Sequence, residues 1–233
     1  MTHSPSHPDD DRDECPCPRL PHVTAAMAGL LLAALMAAVV GRHGTPFSLD
    51  VNVHRWALDH RSPTVTDAAI AITTTGSGAC AYALAAAAGA VAVPGRRWWR
   101  GAAVGIVVLT VGQLLRTSLA VAVDRARPPA SDWAWHASGP ALPSGHTSTS
   151  ALVAVGLAAA LTRRSRRRST RVAAVVVPAT WALAVGTSRV YLGMHWPTDV
   201  AAGWLLVTAL ACTALPPLGS LLTRITPGQS ARS

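Results

Sequence analysis

The chain has no lysine; all 20 of its basic residues are arginine. With so much alanine alongside, this reads as coding bias and no function is drawn from it. Acidic residues are scarcer, 11 in 233, and charged residues together make up 13%. That is about half of what a soluble domain carries, which argues against a soluble globule. There are only four cysteines. Cys80 and Cys212 fall in apolar runs and read as packing residues. Cys15 and Cys17 form a Cys-Pro-Cys without the second ligand pair that a structural zinc needs. Neither a disulfide framework nor a metal centre follows, and no repeat of fixed period is visible.

What the chain has in excess is hydrophobic residues, 50% of the total. They come in runs long enough to cross a bilayer. The expected fold is an all-α, polytopic membrane protein: six transmembrane helices in a bundle. The net charge of +9 then reads as cytoplasmic loops obeying the positive-inside rule, with no nucleic-acid partner.

Residues 1–22 are rich in Pro, His and Asp and read as a disordered tail. The acidic cluster there argues against a signal peptide. The six-helix domain is expected over 23–222, with a short polar tail at 223–233. The spans fall at about 23–40, 65–93, 101–123, 143–161, 172–187 and 197–215, the last extending toward 222. Residues 41–64 form a linker in which Leu49, Val53, Trp56 and Ala57 recur at helical spacing, opposite Asp50, Asn52 and Arg55. That pattern predicts a short interfacial helix with Ser48 as its cap. Gly76-Ser77-Gly78 permits a bend or a close helix contact within the second span. Trp133, Trp135 and His136 read as interface anchors, and His43, His54 and His60 as solvated loop residues. Six spans put both termini on one side. The arginine-rich turns at 96–100 and 163–171 share that side, so it is expected to be cytoplasmic.

Three polar clusters lie at odd-to-even turns and must emerge together on the other face. The first is Asp124-Arg125-Ala126-Arg127-Pro128. The second is Pro143-Ser144-Gly145-His146. The third runs from Ser188 and Arg189 to His195 and Asp199. Arg127 and Arg189 are planar, permanent cations suited to phosphate oxygens. Ser144 and Gly145 open a helix, where free N–H groups and the dipole favour an anion. His146 and His195 can move protons near neutral pH. Asp199, one helical turn beyond His195, can hold one ring nitrogen and leave the other as a nucleophile.

In these residues the chain resembles the type 2 phosphatidic acid phosphatase superfamily, the membrane lipid-phosphate phosphatases related to vanadium haloperoxidases. The pattern is Lys, six residues, Arg-Pro; then Pro-Ser-Gly-His; then Ser-Arg, five residues, His, three residues, Asp. The second and third parts are intact, in a motif core at 116–203. The first departs from the pattern: Ala120 stands where the lysine belongs. Arg116, one turn back inside an apolar span, either supplies that cation or serves a buried carbonyl or Gln113. Arg125 is a second candidate.

The resemblance implies a phosphatase acting on a lipid phosphomonoester or diphosphate through a phosphohistidine. His195 would be the nucleophile, Asp199 its orienting carboxylate and His146 the acid and base. Arg127, Arg189, Ser144, Gly145 and Arg116 would bind phosphate. Phosphatidate, phosphatidylglycerophosphate and undecaprenyl diphosphate all fit. No cofactor is called for, and the arginines would repel a metal cation. The expected location is the cell membrane, multi-pass, with cytoplasmic termini and an extracytoplasmic site. Two other readings are a transporter or channel for an anion, and a phosphatase-like lipid-binding protein impaired by Ala120.

Overall fold

The computed structural model describes residues 19–224, so the tails at 1–18 and 225–233, with Cys15 and Cys17, lie outside the described residues. Eight α-helices follow in order: α1 (Arg19–Gly41), α2 (Ser48–Asp59), α3 (Pro63–Thr75), α4 (Gly78–Ala92), α5 (Trp98–Val123), α6 (Gly145–Arg164), α7 (Arg168–Tyr191) and α8 (Pro197–Arg224). No strand occurs among the described residues. The first helix begins at Arg19, so residues 19–22 continue the span rather than the tail.

By length and hydropathy α1, α5, α7 and α8 can each cross a membrane, and the α3–α4 pair, bent by 52°, is apolar enough only when taken together, as a broken span or a re-entrant loop; four to five spans are seen among the described residues where six were expected. The bend sits at Gly76-Ser77-Gly78. Gly78 adopts φ +56, open to glycine without strain, and a Cβ on Gly76 would strike Val185 of α7. The glycines therefore serve both expected purposes. The sixth helix, α6, falls short of the hydropathy threshold because it opens with His146, Thr147, Ser148, Thr149 and Ser150. It packs against α4, α5, α7 and α8. A helix shielded on that many sides need not be apolar, since neighbouring helices rather than lipid meet its polar groups.

The bundle packs in small-residue contacts and three apolar clusters. Where α4 crosses α5, a Cβ on Gly101 or Gly105 would meet the backbone carbonyls of Gly89 or Ala85, so the glycines let the two backbones touch. Leu32 and Val39 of α1 pack with Ala202 and Leu206 of α8 and with Leu142. Leu109, Val153, Ala81 and Ala85 join α4, α5 and α6. Leu192 and Met194 pack under α3 with Trp133.

The linker helix α2 forms where expected, with Asn52 and Arg55 exposed, but two of its polar residues are turned inward. Its buried residues are Asp50, His54 and Ala57, while Leu49 and Trp56 are exposed. Ser48 is its first residue, not its cap; the Asp50 carboxylate accepts the Phe47 N–H at 3.1 Å and closes the turn from within. Asp50 faces inward because the buried Arg125 pairs with it there. The histidine expectation fails at His54, which is 5% exposed and whose Nε2–H donates to Asp132 at 3.0 Å. That bond holds the Asp132 carboxyl below its usual range. Trp133 is half-buried, and its indole N–H donates to the Pro128 carbonyl at 3.0 Å, which pins the loop.

Candidate active site

The site lies at one end of the bundle, where α5 ends, α6 and α8 begin and α7 ends. Arg189 sits in the last turn of α7, where the helix dipole favours a cation. The chain leaves α7 through Gly193, at φ +78, and enters α8 at Pro197, suited to a first helical turn. This tight turn fixes His195 and Asp199 at i and i+4, both buried.

His195 is held at both ring nitrogens. Its Nδ1 lies 3.3 Å from Asp199 Oδ2, and its Nε2 lies 2.8 Å from Arg127 Nη1. Arginine has donors and no acceptor, so Nε2 must carry the lone pair and Nδ1 the proton. The tautomer therefore follows from the partners. Burial holds the His195 ring's proton affinity well below the ordinary histidine value, and the positive charges of Arg127, Arg189 and Arg116 lower it further. Its unprotonated nitrogen is thus presented, neutral, to a cluster of cations.

Arg127 is anchored by backbone carbonyls: Nε–H donates to Gly139 and Nη2–H to Ser138, both at 2.8 Å, and Nη1–H to Met194 at 2.9 Å. Burial lowers its pKa to about 10 against the opposing pull of Asp199, so it stays charged at neutral pH. Arg189 is 1% exposed. Its Nη1–H donates to the Thr73 hydroxyl of α3 at 3.1 Å, and its Nε is buried with no hydrogen-bond partner among the described residues. A buried guanidinium donor left unsatisfied is costly; a phosphate oxygen would satisfy it.

Ser144 is the residue before α6, and its side chain makes no cap bond to the helix. Instead its hydroxyl oxygen accepts from Thr147 at 3.0 Å, and its backbone N–H donates to the Asp199 carbonyl at 3.0 Å, tying the start of α6 to α8. An uncapped helix start leaves N–H groups and a positive dipole end for an anion. His146 follows in the first turn, and its ring makes no hydrogen bond to the described residues.

The two spare arginines part company. Arg116 Nε–H donates to the Pro143 carbonyl at 2.7 Å, and its guanidinium lies so close to Gly145 that a Cβ there would be 3.2 Å from Cζ. It thus serves a buried carbonyl and also brings its charge to the start of α6. The bond to a buried carbonyl is the one of its two expected roles that the geometry displays. The position seven before Arg127, Ala120, is buried and apolar. Arg125 does not face the pocket. It lies behind Asp199, whose Oδ1 accepts from Arg125 Nη1 at 2.6 Å, and it bonds Asp50 Oδ2 through Nη2 at 2.8 Å. Nothing in the spacing of the sequence separated these two roles; the inward turn of α2 did.

A bundle of helices long and apolar enough for a membrane thus carries, at one end, three arginines, a helix start and an oriented His–Asp pair. A model of the PAP2 superfamily matches residues 101–216. The crystal structure of a transmembrane PAP2-type phosphatidylglycerolphosphate phosphatase from Bacillus subtilis superposes with a TM-score of 0.70 at 25% identity, covering 90% of this chain and 99% of that one. Phosphatidylglycerophosphatase B of Escherichia coli K12 is 42% identical over 80 residues, 33% of this chain and 28% of that protein; the protein of that name from Shigella flexneri matches equally. The chain belongs to the PAP2 superfamily. The stretch shared with these curated relatives spans less than a third of their length.

Proposed function

We propose that the protein is an integral membrane phosphatase that hydrolyses a lipid phosphomonoester or diphosphate through a phosphohistidine. The observation that carries this is the forced tautomer of His195, with the Nε2 lone pair aimed at Arg127 and Nδ1–H held by Asp199. A structural His–Asp pair has no need of a nucleophilic nitrogen among cations.

In this reading Arg127, Arg189 and Arg116 bind the phosphoryl oxygens with the Ser144 hydroxyl and the Gly145 N–H. His195 Nε2 attacks phosphorus; the N–P bond forms as the P–O bond to the lipid breaks. His146, as imidazolium, hands its proton to the departing oxygen. The neutral His146 then takes a proton from water, the hydroxide equivalent attacks the phosphohistidine, and phosphate leaves with His195 regenerated. Asp199 stabilises the positive character of His195 throughout. Because the pocket is crowded with guanidinium groups, the scheme uses no metal, and a chelator is expected to leave the rate unchanged.

Phosphatidylglycerophosphate is the first substrate to test, because relatives bear that name; phosphatidate and polyprenyl diphosphates such as undecaprenyl diphosphate meet the same chemistry. In the same reading the termini are cytoplasmic and the site extracytoplasmic, supported by the exposed arginines of 163–171 at the end of the bundle remote from the site. An impaired, binding-only protein is disfavoured because Arg116 fills the charge that Ala120 lacks. The test is phosphate release by purified protein from a panel of these lipids, with acid-labile, base-stable labelling by ³²P-lipid. Labelling lost in His195→Ala supports the scheme. Release without a phosphoenzyme, or dependence on a divalent ion, would sink it.

A further inference from the structure

The linker helix α2 lies outside residues 101–216, the stretch that matches the family, yet its Asp50 is buried behind the nucleophile. A single line of charges runs through the site. Asp50 Oδ2 pairs with Arg125 Nη2 at 2.8 Å, Arg125 Nη1 pairs with Asp199 Oδ1 at 2.6 Å, and Asp199 Oδ2 meets His195 Nδ1 at 3.3 Å. All four residues are at most 1% exposed. Thr198, beside Asp199 on α8, stitches the line: its N–H donates to Asp50 Oδ1 at 3.0 Å and its hydroxyl reaches Asp50 at 2.9 Å. Arg125 Nε–H points at the Gly44 carbonyl, 3.4 Å away, so the guanidinium is held on every edge and is no phosphate ligand.

The charges decide what Asp50 does. Two carboxylates and one guanidinium leave a net charge of about minus one behind His195, facing Arg116, Arg127 and Arg189 in front. Without Asp50, Arg125 would be balanced by Asp199 alone, and no net negative charge would remain to offset the imidazole as it gains a phosphoryl group and positive character. In a buried site such charges are weakly screened. We infer that Asp50 is a positioning and charge-balancing residue for His195, acting through Arg125 and Asp199, so that the linker helix is part of the machinery. The inference rests on His195 being the nucleophile.

Asp50→Asn tests it, because asparagine keeps the shape and an acceptor for Thr198 but removes the charge. The expected result is a kcat lower by about 10- to 100-fold with KM within about twofold, since the phosphate-binding cations are untouched. In an Asp199→Asn background the same change should add less than about twofold, because the path to His195 is already cut. The ¹⁵N shifts of the His195 ring should move toward a weaker Nδ1–H bond. Full kcat in Asp50→Asn, with loss only in Asp50→Ala and in step with a lower melting temperature, would make Asp50 a structural peg and overturn the proposal; so would an equal loss in the Asp199→Asn background. The ¹⁵N shifts need no turnover. If the wild type released phosphate from no lipid, the functional reading would fall, and the shifts would still decide the linkage.

Discussion

Both ends of the bundle are rich in arginine, and they use it in opposite ways. At the site end Arg125 and Arg189 are almost wholly buried, and each guanidinium is held by named partners from another helix. At the other end Arg163, Arg164, Arg166, Arg167, Arg168 and Arg171 stand exposed on and around the short connection between α6 and α7. There Arg171 reaches the Ser165 carbonyl at 2.9 Å, and Arg163 and Arg164 sit in the last turn of α6, where the dipole favours them. Buried guanidinium groups must find carboxylates, carbonyls or a ligand, because desolvation is otherwise prohibitive. Exposed ones need nothing, and contribute topology and attraction to anionic lipid. In the function proposed, the same side chain serves chemistry at one end and topology at the other.

The comparison breaks most sharply at its centre. His195→Ala should lower phosphate release by at least about 10⁴-fold, as expected for loss of a covalent nucleophile; a residual rate within tenfold of wild type would remove His195 from the chemistry. Arg116→Ala should act less strongly, at about 10- to 100-fold in kcat/KM and chiefly through KM, since it removes one of three phosphate cations. An unchanged rate would leave Arg116 only its bond to Pro143.

The acid side of the pH profile comes next. The attacking nitrogen must be unprotonated, and the His195 proton affinity is held well below normal. The rate of phosphoenzyme formation should therefore stay flat as pH falls through about 6.5, where an ordinary histidine would lose it. In Arg127→Lys, with the charge kept, the limb should stay low. In Arg127→Gln, with the charge gone, it should move toward 6.5. A wild-type limb at 6.5 would show that the cations do not act on the ring. The same shift makes the fold less stable as pH drops below about 6.5, because the unfolded chain then binds a proton the buried ring refuses.

The smallest effect is expected at the far end. Replacing Arg166, Arg167 and Arg168 together by Gln should change phosphate release in detergent by less than about twofold, while altering orientation or yield in the membrane. A tenfold loss of activity in detergent would tie the two ends together and undo the contrast.

The structure altered the reading most where charge meets burial. The motif residues themselves were legible, because Arg127, Ser144, His146, Arg189, His195 and Asp199 keep a spacing that two helix starts and two helix ends impose. Arg116 was visible as a costly guest in an apolar run. Asp50 and His54 were not: on an amphipathic helix in a polar linker, the polar face is expected to meet water. The bond from Trp133 to the Pro128 carbonyl was not legible either, since an aromatic in a polar loop does not announce its partner.

The sequence by itself determined the class of fold and which three polar clusters meet at one end of the bundle. These follow from hydropathy, helix length and i, i+4 spacing, all local properties of the chain. Tertiary structure alone decided how the arginines are shared out. It set Arg116 against Gly145, turned Arg125 away from the pocket to bridge Asp199 and Asp50, and left the Nε–H of Arg189 unsatisfied. Those outcomes depend on which buried charges lie within a hydrogen bond of one another across helices far apart in sequence, and no local pattern encodes that distance.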